Sequence, residues 1–162
     1  MTNKDECCPK FNPEKWDGKA YSWDEKKFIK ESVPALFHIP FFPLIGKKIK
    51  RMMKHVESAS ALEEDKTNVL FLFTDPHPFK SEFYLSVTKD VPHENNVTIS
   101  GTFEAKVFDG PSRAIPKFIE EMKESLDKKG RKAGKYYVHY AYCPKCSKKF
   151  GNNYMVLFAK TS

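Results

Sequence analysis

Apolar positions along this chain follow two rhythms in turn, every second residue in some stretches and every third or fourth in others. The first marks a strand with one covered face, the second an amphipathic helix. "ALFHIPFF", residues 35–42, reads as a short strand closed by Pro40 and Pro43. Behind it Ile45, Ile49, Met52, Val56 and Leu62 keep helical spacing, with Lys47, Lys48, Lys50, Arg51 and Lys54 on the other faces. "NVLFLFT" reads as a largely buried strand stopped by the turn "DPHP". In "EFYLSVTKDV", Phe83, Leu85 and Val87 alternate with Tyr84, Ser86 and Thr88, as in a half-exposed strand.

The same order then recurs. "ISGTFEAKVFDG" is a strand ended by Gly110-Pro111, and Ile115, Phe118, Ile119, Met122 and Leu126 form the stripe of a helix with Pro116 in its first turn. "KYYVHYAY" and "NYMVLFA" are strands separated by "CPKCSKKFGN". Laying Pro76 on Pro144 aligns "VLFLFTDP" with "YVHYAYCP", so strand, helix, strand, strand appears twice at a shift of roughly 70 residues. Two such units cannot bury their apolar faces alone. The expected fold is α+β, a duplicated βαββ repeat (about 35–92 and 97–161) with antiparallel sheets forming a ligand groove and two helices on the opposite side. Residues 1–34, broken by Pro9, Pro13, Gly18 and Pro34, read as an N-terminal arm packed on the domain of residues 35–162. Its rings, among them Trp16 and Trp23, need cover from water.

A length of 162 residues suits one well-buried core. Met1 is followed by Thr2, Asn3, Lys4, Asp5 and Glu6, and there is no long apolar run, which points to a cytoplasmic protein without membrane spans, monomeric or homodimeric. The net charge of +7 raises the question of nucleic acid, but the lysine clusters sit beside Glu63, Glu64, Glu120, Glu121 and Glu124 and carry no nucleic-acid-binding motif. A solvated helix face accounts for them better, and binding to an acidic partner or nucleic acid stays a minor alternative.

Candidate chemistry gathers at "KYYVHYAYCPKC", residues 135–146. Period two puts Tyr136, Val138, Tyr140 and Tyr142 on one face and Tyr137, His139 and Ala141 on the other. A row of tyrosines suits flat aromatic ligands, so the first set is the expected groove wall, joined by Trp16 and Trp23. Water activation needs a carboxylate or imidazole; the candidates are Glu82, Glu104, His38 and His139, and no Ser-His-Asp spacing, P-loop or dinucleotide fingerprint is present. Cys143 and Cys146 have zinc-ligand spacing, and Cys7 with Cys8 would complete a four-thiolate site if the arm folds back. A redox pair and ordinary thiols are the other readings, so a structural zinc is the one cofactor in view.

The repeat order over residues 35–160, and locally "GTFEAKVFDGPSRAIPKFIEEMKESLDKKG", resembles the gyrase-inhibitor-like (GyrI-like) superfamily, the effector-binding fold of multidrug-sensing and AraC-type regulators. "CCPKFNPEKW" with "CPKC" is similar to a subgroup of small stand-alone bacterial proteins often labelled hydrolases. The resemblance implies a groove for flat, apolar, often cationic compounds, and in some stand-alone members the opening of strained rings by water. Drug-sensing relatives carry a glutamate two positions ahead of a tyrosine in the strand before the family proline. Here Val138 stands in place of that glutamate and Tyr140 matches the tyrosine. The implied function is binding of a flat hydrophobic or aromatic small molecule, with its hydrolysis as the alternative.

Overall fold

The computed structural model describes residues 10–37, 39–40, 42–142 and 144–162. The protein is α+β, its described ladders antiparallel and its helices few. No helix among the described residues is long and apolar enough to cross a membrane. The chain divides into two compact units, one of Asp24–Ser100 and one of residues 10–23 with Gly101–Ser162.

In the first unit, strand β1 (Ala20–Leu36, in this unit from residue 24) pairs with the short β2 (Ile39–Pro40) and with β4 (Lys80–Ser86), which in turn pairs with β3 (Phe71–His77). Helix α1 (Phe42–Ser58) follows β2. Its stripe of Ile45, Met52 and Val56 packs on Ile29 and Val33 of β1 and on Phe83 and Leu85 of β4, with Phe71 and Phe73 of β3 at the margin. Fully burying each such side chain is worth about 1.5–3 kcal/mol, so this one interface dominates the unit. Period two leaves Phe28, Lys30, Ser32, Leu72, Thr74, Glu82 and Tyr84 on the sheet face away from α1.

In the second unit, β5 (Asn95–Asp109, here from residue 101) pairs with β7 (Tyr154–Lys160), and β7 with β6 (Lys135–Tyr140). Helix α2 (Ile115–Lys128) joins β5 to β6. Met122 and Leu126 of α2 pack on Phe108, Val138, Met155, Leu157 and Ala159. The turn between β5 and α2 needs Gly110: a Cβ there would lie 2.9 Å from Cζ of Phe118, whose ring stacks on Phe108 at 4.5 Å.

Several elements differ from the sequence-based expectation. "ALFHIPFF" is not one strand: Ala35 and Leu36 end β1, Phe37 turns with φ +49°, and Phe42 already opens α1. Pro43 suits that first helical turn, where a backbone N–H has no intrahelical acceptor. Regular structure also begins earlier than residue 35. β1 starts at Ala20 and was hidden because Glu25, at φ +48°, breaks the alternation: Tyr21 and Trp23 carry the rings before it, Phe28 after it. β3 runs past "DP" to His77, with an irregularity between Thr74 and His77 where Pro76 cannot donate to the ladder. "CPKCSKKF" holds a helix, α3 (Pro144–Phe150), with proline at its start and Gly151, φ +74°, just past its end.

Candidate functional site

The tyrosine wall is on the other side of the sheet from the one expected. Tyr136, Val138 and Tyr140 of β6 lie on the face that α2 covers, packed with Met122 and Leu126. The parity assignment of Tyr136, Val138 and Tyr140 to a ligand groove is therefore corrected: the three side chains serve the helix–sheet interface. Burial pushes the Tyr136 pKa above its ordinary value, and the Asp127 and Glu120 carboxylates of α2 add to the shift. Tyr142, just past β6, is buried too. Its hydroxyl accepts the Phe11 N–H at 2.8 Å, and its ring stacks on Phe150 at 4.9 Å, so it fastens the arm.

The face of this unit away from α2 is filled by the arm. Trp16, 6% exposed, meets Phe158 edge-on at 5.9 Å and His139 at 6.4 Å; Trp23 lies 4.4 Å from Phe103 and 5.4 Å from Phe158. The arm is held along β5 as well: the Gly18 N–H donates to the Ala105 carbonyl at 3.0 Å and the Val107 N–H to the Asp17 carboxylate at 3.0 Å. Trp16, Trp23 and His139 thus sit in an aromatic core within their own unit.

The two glutamate candidates belong to different units. Glu104 projects on the α2 side, where Arg131 and Lys129 pair with it, Lys129 at 3.5 Å. It borders a cavity of about 260 Å³ that Asp17, Lys19, Lys106, Ser125 and Lys129 also line. Glu82 lies on the face of its sheet away from α1. It is 6% exposed, its Oε2 is 2.5 Å from Lys30 Nζ and 3.9 Å from Lys80 Nζ, and Lys30 also sits 5.7 Å above the Tyr84 ring. Ser32 and Thr74 are its register partners on β1 and β3. A buried carboxylate held by an ammonium that also lies over a tyrosine ring can bind a cationic or polar group or take a proton.

Cys146 is buried. Cys7, Cys8, Cys143 and His38 lie outside the described residues, and among the described ones no group of three or more His, Cys, Asp and Glu side chains could hold a metal ion.

A further ionisable cluster, absent from the sequence reading, belongs to α1. His55 Nδ1 is 2.8 Å from Glu94 Oε1, Arg51 Nε is 3.4 Å from the same oxygen, and Arg51 Nη2 is 3.3 Å from Glu31, which also takes Lys48 at 2.9 Å. Burial alone would raise the Glu31 pKa, but hydrogen bonds and charge from Lys48 and Arg51 outweigh it and hold the carboxyl below its ordinary value. Arg51 shows the converse: burial works against its charge, while Glu94 and Glu31 together lift its pKa above the ordinary value. The i, i+4 step from Arg51 to His55 was legible; the partner Glu94, 39 residues from His55, had no signal in the linear pattern.

An α+β protein with antiparallel sheets, two helix-covered cores and acid–base groups outside them is the class these features define. The chain belongs to the bacterial hydrolase family, whose model matches residues 1–161. No curated protein matches it.

Proposed function

We propose that the protein is a small-molecule-binding domain of GyrI-like architecture that takes a flat hydrophobic or aromatic compound beside Glu82. In this reading the two units are copies of one βαββ repeat. Support comes from the pairing order: each unit has a first strand, a helix, then two strands, with the last strand between the other two. The observation that carries the reading is the buried Glu82 carboxylate on the sheet face away from α1, two residues along β4 from Tyr84, whose ring meets that of Phe28 edge-on at 6.3 Å. Entry is from the end where the side chains of Lys30, 31% exposed, and Lys80, 45% exposed, reach water.

The family's description favours a second reading, addition of water to such a compound. Glu82 would take a proton from water as its oxygen forms a bond to a strained-ring carbon. The carbon–heteroatom bond breaks, and the Lys30 ammonium protonates the departing heteroatom. Both readings are tested by incubating the protein with flat aromatic and strained-ring compounds and following bound fraction and integrity by mass spectrometry. Compounds returned intact indicate binding; a gain of one water indicates hydrolysis. Glu82→Gln should weaken binding of cationic aromatics about tenfold or more and stop any hydrolysis. Unaltered binding and turnover in that variant would remove Glu82 from the function.

A further inference from the structure

We infer that His55, oriented by Glu94, is a general base at a second site on α1, one that hydrolyses carboxylic esters bearing a negative charge. This goes beyond the reading built on Glu82 and does not rest on it. The Glu94 side chain is 1% exposed and its Oε1 receives both His55 Nδ1 and Arg51 Nε. A carboxylate oxygen facing a guanidinium is an acceptor, so Nδ1 carries a proton, and in the neutral imidazole the lone pair is then on Nε2. Among the described residues Nε2 has no hydrogen-bond partner, yet no unpartnered side-chain nitrogen is buried, so this lone pair faces water.

The carboxylate is itself held in place. Asn96 accepts the Val91 N–H at 2.8 Å and donates to the carbonyls of Val91 at 2.9 Å and Glu94 at 3.1 Å, closing the loop that presents Glu94. A fixed carboxylate, an imidazole with a set tautomer and a free Nε2 at the surface are the parts of a water-activating dyad. A purely structural ion pair needs none of the last.

Charge selects the substrate class. Lys47, Arg51 and His55 follow one another at four-residue steps along α1, and Lys47 and Arg51 are exposed, while Glu31 and Glu94 lie beneath with side chains 21% and 1% exposed. Water therefore meets cations and imidazole, with the carboxylates screened below. An anionic group on the ester would be drawn to Lys47 and Arg51, leaving its carbonyl by His55. Nε2 takes a proton from water as the water oxygen bonds to the carbonyl carbon. On collapse the carbon–oxygen ester bond breaks, and the imidazolium returns the proton to the leaving alcohol. His55 is the catalytic residue, Glu94 a positioning residue.

The test uses the full chain with p-nitrophenyl hemisuccinate as the anionic probe and p-nitrophenyl acetate as the neutral one. His55→Gln should lower the hemisuccinate rate about 100-fold or more, and Glu94→Gln should lower kcat about tenfold or more with KM within about twofold. His93→Asn removes the neighbouring imidazole, whose ring centre is 6.1 Å from that of His55, at a position with φ +67° that asparagine tolerates, and should leave the rate unchanged. Nitrogen NMR of the rings should show the Nδ1-protonated tautomer at His55 and its loss in Glu94→Ala, which reads the dyad even if the His55 variant does not fold. At low salt hemisuccinate should be preferred about tenfold in kcat/KM, the preference shrinking as salt rises. Wild-type rates in His55→Gln, an absence of hydrolysis of either ester, or no preference for the anionic ester would each overturn the inference.

Discussion

At the residue scale, what decided the fate of each candidate was which face of its strand bears the helix. Alternation groups Tyr136, Val138 and Tyr140 correctly, but period two alone cannot say which of two faces is covered. The helix α2 took that face, packing Met122 and Leu126 on it. Leu126→Ala should cost about 2–5 kcal/mol in chemical denaturation, the range for a buried leucine whose site cannot collapse; a loss within error would mean that α2 adds little to this core. Glu31 bears on pH. Its pKa is lowered in the folded protein, so the stability it contributes is fully present above the unfolded carboxyl value of about 4.3 and is lost as pH falls through its folded value. Glu31→Gln should therefore be less stable than the wild type near neutral pH, with the gap closing under acid conditions. Parallel stability profiles would show that Lys48 and Arg51 do not act on this carboxylate.

At the scale of elements, helices were the easier reading. The stripes of α1 and α2 sat where spacing put them, save that α1 ends at Ser58 and leaves Leu62 beyond it, because each helix buries one face and is wet on the others. Strand ends were harder, and the misses share a cause: backbone features that carry no hydrophobic signature. The left-handed Glu25 shifts the parity of β1, and the irregularity around Pro76 lets β3 continue through what reads as a turn. α3 shows the opposite case: a proline start and a glycine stop stand in the sequence, but the Cys-x-x-Cys spacing there fits a metal or redox turn equally well. Two predictions belong here. Gly110→Ala must displace Phe118 from its stack on Phe108 and should cost about 1–3 kcal/mol. Trp16→Ala removes the arm's best-buried ring and should cost about 3–5 kcal/mol, with the amides of residues 17–19 losing protection from hydrogen exchange.

At the scale of the molecule, α+β class and antiparallel pairing were legible from the order of periods, since each unit closes its core with one helix on three strands, the last paired to both others. Where the chain passes between units was not, because it does so inside β1 and β5 with no loop to mark it. Both proposed sites reflect the same limit. Lys30 with Glu82 and His55 with Glu94 are assembled by tertiary pairing and share no sequence motif.

The split in the second unit has a consequence for how the protein is made. Trp16 and Trp23, the only two tryptophans of the chain, leave the ribosome before any of Asp24–Ser100, whereas their partners Phe103 and Phe158 come after it. At about 5–20 residues per second the indoles wait roughly 7–28 seconds for Phe158, a window in which a chaperone or a misplaced neighbour can claim them. A chain ending at Ser100 should then show the red-shifted emission of water-exposed tryptophan, and the full chain the blue-shifted emission of buried rings. Indole fluorescence is in effect a clock for the arrival of β7, because it can change only once Phe158 emerges to close over rings made long before it.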